Sequence, residues 1–158
     1  MKTKITIAVS FIFTMLLIGE SCKKEEKREK GENEYKVSKY NDKESHNMGQ
    51  NCMNCHKQGG SGEGWFNIAS TVYDSLQTST YPNCTVKLYT GANGTGTLKY
   101  TIEVDGKGNF YSTEDINFGS GLYPAVTSSN GTKYMSSSVS IGSCSSCHGS
   151  STGKIWAK

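Results

Sequence analysis

The chain has 158 residues, about one ordinary domain, and 34% of them are apolar. With 18 glycines and many Ser, Thr and Tyr, that composition suits a small β-rich core better than a helical one. The net charge of +3 belongs to the N-terminal part: from His46 onward 7 basic and 6 acidic side chains nearly cancel, which excludes nucleic acid as a partner.

Met1-Lys2-Thr3-Lys4 is a basic start, and Ile5 to Ile18 is an uncharged apolar run. The run is shorter than the ~20 residues that cross a bilayer comfortably. Residues 1–21 therefore read as a secretory signal peptide, with an N-terminal anchor or a buried segment as the alternative. Cys22 follows in "GESCKKEEK". A Cys in that place resembles the lipobox of bacterial lipoproteins, whose thiol is lipidated and becomes the mature N-terminus. Ser21 fits the pattern, while Gly19 stands where Leu is usual. The Lys and Glu that follow are similar to those of surface-exported lipoproteins in some gram-negative lineages. The resemblance implies a lipid anchor at Cys22 and a place on the outer membrane or cell surface, with the periplasm as alternative. Cleavage without lipidation would leave Cys22 a spare thiol.

Residues 23–45 carry 8 basic and 7 acidic groups, with Tyr35, Val37 and Tyr40 nearly the only apolar ones. Such a segment buries too little surface to offset its ordering entropy. Residues 22–45 are therefore expected to be a lipidated Cys and a solvated tether.

Four of the six cysteines stand in "CMNCH" (52–56) and "CSSCH" (144–148), and the motif histidines are two of only three in the chain. Cys-x-x-Cys-His is the pattern of c-type haem attachment. Cys52 and Cys55, or Cys144 and Cys147, add to the two haem vinyl groups as thioethers. His56 or His148 then ligates the iron from beneath. A zinc site does not require a His directly after each pair. A thioredoxin-like motif expects a strand–helix context, and two disulfides leave both histidines unexplained. Two covalent haems are the expected cofactors.

The motifs and the flank "HNMGQNCMNCHK" resemble exported multihaem c-type cytochromes. That resemblance implies His46 as a distal iron ligand; a solvent-exposed His at the end of the tether is the other reading. Two haems need two distal ligands, and no fourth His exists. Met is the usual substitute. Met135, shortly before the second motif, is the first candidate and Met48 the weaker one. Core packing of Met135, an open iron site or a residue from another chain are the alternatives.

Between the motifs the pattern is β. "FNIASTVYD", "TVKLY", "LKYTIEV", "NFYST" and "GLYPAVTSS" alternate or run apolar between Gly/Asn/Asp turns. Val86 and Leu88 are expected to face inward, as are Leu98, Tyr100, Ile102 and Val104. The order of Ser70-Thr71-Val72-Tyr73-Asp74, Val86-Lys87-Leu88-Tyr89, Asp105-Gly106-Lys107-Gly108-Asn109-Phe110 and Gly121-Leu122-Tyr123-Pro124-Ala125-Val126 resembles carboxypeptidase-regulatory-like or transthyretin-like modules. The expected fold is mainly β: a small antiparallel sandwich over 65–140, with haem-binding segments at 46–64 and 141–158. Cys84 is expected in the core, with an intermolecular bond as alternative. Trp65 and Trp156 are candidates to cover porphyrin edges or to pack the core.

These features make a di-haem cytochrome, a non-catalytic electron carrier at the cell envelope, the first expectation. Its partners would be redox proteins or an extracellular electron acceptor. A haem enzyme, or a gas or peroxide sensor with an open iron, is one alternative. None of Glu63, Asp74, Glu103, Asp105, Glu114 and Asp115 lies in a recognisable distal motif for it. Self-assembly into an extracellular cytochrome filament is another. Whether the two haems meet or lie at opposite poles stays open.

Overall fold

The computed structural model describes residues 32–158. The segments expected to be a signal peptide (1–21) and a lipidated Cys22, with the first part of the expected tether, lie outside the described residues. Among those described, no helix is long and apolar enough to cross a membrane.

The alternating segments form strands where their pattern placed them: β1 (Ile68–Tyr73), β2 (Thr85–Tyr89), β3 (Leu98–Glu103), β4 (Asn109–Ser112) and β5 (Tyr123–Ser128). Three more follow: β6 (Gly131–Tyr134), β7 (Gly142–Ser143) and β8 (Ile155–Trp156). One sheet runs β4-β1-β7, with β8 continuing on the far end of β1; the other runs β3-β2-β5-β6. The inner faces meet through Ile68, Val72 and Phe110 on one side and Val86, Leu88 and Val126 on the other. The fold is a small, mainly β sandwich. It departs from a purely antiparallel one at β7 and β8, which run parallel to β1. Parallel neighbours require a long crossover, and here the rest of the sandwich is that crossover.

Alternation in β2 is clean, with Val86 and Leu88 buried between half-buried neighbours. In β3 it fails at one end. The pairing shifts register between Leu88 and Tyr89, and Leu98 is 44% exposed although its phase points inward. A bulge of this kind turns the residues beyond it off the shared face.

The tether is shorter than composition suggested. Residues 33–45 run along the outer edge of β4. Val37 bridges Ser112, the Ser38 N–H donates to the Tyr111 carbonyl at 3.0 Å, and the Asn33 amide clasps the Trp65 backbone at 2.8 Å from both its groups. Ser38 and Ser45 are buried. A composition argument weighs side chains, whereas this segment is held by its backbone on an open strand edge, where unpaired N–H and C=O groups want partners.

Leu88 has no exposed surface. Leu88→Ala is expected to cost roughly 2–5 kcal/mol by transfer and cavity formation, and Leu98→Ala at most about 0.5 kcal/mol. The difference is read from urea midpoints at constant m.

Candidate haem-attachment sites

Both motifs fold into the same local shape. Cys52–Asn54 and Cys144–Ser146 are single 3₁₀ turns. In each, the His N–H donates to the carbonyl of the first Cys, at 2.9 Å for His56 and 3.0 Å for His148. The Asn51 side chain caps the first turn by accepting the Met53 N–H at 3.2 Å. Each turn thereby brings two thiols and one imidazole to the wall of one cavity, of about 500 Å³ at the first motif and about 550 Å³ at the second. Cofactor sites commonly span ~300–1,000 Å³.

The imidazoles are oriented alike. His56 Nδ1 lies 3.1 Å from the Glu63 carbonyl and 3.3 Å from that of Gly64. His148 Nδ1 lies 2.8 Å from the Gly153 carbonyl. A carbonyl only accepts, so Nδ1 carries the proton and Nε2 keeps its lone pair, the state a metal-ligating His requires. Space around His56 is tight: a Cβ on Gly62 would come within 2.6 Å of the ring. Phe66 stacks on the other side at 4.2 Å, backed by Tyr111 at 4.8 Å.

His46 stands opposite His56 in the same cavity, with ring centres 5.9 Å apart and planes 37° from parallel. A metal ion ~2 Å from each of two imidazole nitrogens separates the ring centres by roughly 6 Å. The segment that presents His46 is pinned by buried groups. Asn109 Nδ2 donates to Ser45 Oγ at 3.0 Å and to the His46 carbonyl at 3.2 Å. Lys107 Nζ donates to the Ser45 carbonyl at 2.6 Å, and Thr71 Oγ1 accepts the Gly49 N–H at 2.8 Å. Asn109 is itself fixed by Thr71 at 2.6 Å and by its N–H to Asp105 Oδ1 at 2.9 Å.

The second cavity differs. Met135, half-buried, is in its wall with His148, and the chain has no further imidazole to offer there. Trp156 lines it too, with Lys133 Nζ 3.4 Å from its ring centre. Met48 is 45% exposed and belongs to neither wall. Trp65 is not part of the first wall; its backbone is what Asn33 holds.

The donor set fits covalent haem at both places: two thiols and one bare imidazole nitrogen beside a cofactor-sized cavity. Among the described residues no three His, Cys, Asp or Glu side chains converge on a metal position, and the five described cysteines are unpaired. Asn109, Gly62, Phe66 and the Gly153 carbonyl escaped the sequence reading. The glycine-rich tails "KQGGSGEG" and "HGSSTGK" were the available signal, since both loop back to the motif His. No family model, curated protein or solved structure matches the chain.

Cys84 is a core thiol, 2% exposed, and burial pushes its pKa from 9.0 up to about 12. The native thiol is expected to resist iodoacetamide at neutral pH and to react on unfolding. Because the folded pKa is raised, its contribution to stability is complete below about pH 9 and disappears as pH rises through about 12. Comparison of alkaline unfolding midpoints with those of Cys84→Ala checks this.

Proposed function

We propose that this chain is an exported di-haem c-type cytochrome that carries electrons at the cell envelope, anchored through a lipid on Cys22. The observation that carries the reading is repetition. Two segments about ninety residues apart adopt one turn, fix one tautomer by a backbone carbonyl and open on a cavity of one size. Haem iron, when bound, supplies a one-electron couple; the protein supplies attachment, axial bases, burial and orientation. Cys52, Cys55, Cys144 and Cys147 are the thioether positions, and His56 and His148 the proximal bases. His46 completes the first iron, and Met135 is the candidate for the second. Redox proteins or an extracellular acceptor are the partners this assignment calls for, and the near-neutral domain fits docking without strong electrostatic steering.

A second reading, a haem enzyme or gas sensor, is favoured by one observation. The second cavity holds a single imidazole, so its iron has a base on one side and only a thioether candidate on the other.

The first test is the absorption spectrum of the mature protein with alkaline pyridine, for which two c-type haems per chain are expected. Absence of haem bands would remove the proposal. Carbon monoxide then separates the two readings: no change in the reduced spectrum supports electron transfer, and rapid binding at one haem supports the sensor or enzyme. His46→Ala is expected to make the first haem bind carbon monoxide in either case. If the variant spectrum is unaltered by the gas, His46 is not a ligand.

A further inference from the structure

Resting on the haem assignment, we propose that the β4-β1-β7 sheet is a partition with one haem site against each of its faces, and that the two sites interact through it. Successive residues of a strand point to opposite faces. In β4, Asn109 and Tyr111 line the first cavity while Phe110, between them, lines the second. In β1, adjacent residues hold the two motifs. Ser70 Oγ is hydrogen bonded at 2.8 Å to Ser145 Oγ, inside the second Cys-x-x-Cys, and Thr71 Oγ1 accepts the N–H of Gly49, three residues before Cys52. The second motif also begins where β7 ends, so its first Cys continues a strand of the partition. One residue step of one strand thus separates the attachments.

The strands between the sites are buried. All six residues of β1 are buried, as are Asn109, Phe110 and Ser112 of β4. Charges on either side are therefore screened far less than at a surface. Reduction at one site lowers the charge there by one, which disfavours the second reduction. The partition also gives the chain two separate mouths, so donor and acceptor dock on different faces rather than exchanging at one.

The test uses the holoprotein and two variants, Cys52→Ala/Cys55→Ala and Cys144→Ala/Cys147→Ala, each keeping one attachment. Equilibrium redox titrations are followed in the visible, with haem content measured by pyridine haemochrome on every sample. The site that reduces second is expected to titrate at lower potential in the di-haem protein than in its single-haem variant. The circular dichroism of the Soret band should be bisignate in the native protein and single-signed in each variant. A native titration and a native dichroism that equal the sums of the variants overturn the proposal while leaving the cytochrome reading intact. Lack of haem in the native protein overturns both. Should either variant fail to fold, electron spin relaxation of the native protein decides: the ferric signal is expected to relax faster in the fully oxidised protein than in the half-reduced one, whose neighbour is diamagnetic, and equal rates overturn the proposal.

Discussion

Burial of β1 on both faces is the constraint from which the remaining architecture follows. It is the one strand among those described whose every residue is buried. A strand so placed must satisfy its backbone groups with protein partners on both edges. β4 does so antiparallel on one edge; on the other, β7 pairs with Ile68 and Ala69, and β8 with Val72 and Tyr73. The two short strands come from the C-terminal segment, which is thereby drawn back to the place where the N-terminal segment already lies. Both motifs reach the same strand because the strand has two faces and two edges to fill.

The polar residues of β1 make this arrangement specific. Ser70 and Thr71 are 3% exposed, and each would be costly to bury without a partner. Ser70 meets Ser145; Thr71 meets Asn109 and Gly49. An apolar pair at these positions would pack the sheet as well but would not fix which turn sits on which face. The buried carboxylate of Asp105 serves the same network. Its Oδ1 accepts the N–H groups of Lys107 and Asn109 and so holds the turn that aims Asn109 at the His46 backbone.

Periodicity made the sandwich legible where it is clean, because the alternation of β2 reports a face without any knowledge of the partner strand. β7 and β8 were not legible. Two residues carry no period, and Gly142 pairs with Ile68 through a backbone so close that a Cβ would stand 2.0 Å from the Asn67 carbonyl oxygen. Residues 33–45 were misjudged for a related reason: their attachment is made by main-chain groups that every sequence possesses. At the sites, Cys-x-x-Cys-His named the thiols and imidazoles that the fold brings to each cavity wall, and the resemblance of the flank to multihaem cytochromes named His46, which shares a wall with His56. Asn109 was hidden, since its role depends on a contact with Ser45 across 64 positions of chain. Met135 was the first candidate in sequence and Met48 the weaker; the fold widens that separation, leaving Met48 exposed and putting Met135 in a cavity wall with His148.

That separation bears on how the two sites would differ as redox centres. The first has two imidazoles with ring centres 5.9 Å apart, the His56 ring packed by Gly62 and Phe66, and the His46 carbonyl held by Asn109. Such a site reorganises little when its charge changes. The second has His148 and a thioether candidate on a strand end, in a cavity walled by Pro124, Ile141, Ile155 and Trp156. Thioether ligation and an apolar wall both favour the reduced, less charged iron. For two centres held on opposite faces of one sheet, as proposed, the ordering of potentials would be set by ligands and walls rather than by distance. Electrons would then run downhill from the bis-imidazole face to the face bearing His148. Exchange of Met135 for an imidazole would level that gradient without moving either attachment point, so under the proposed assignment the direction of flow, more than its existence, would rest on the second distal ligand.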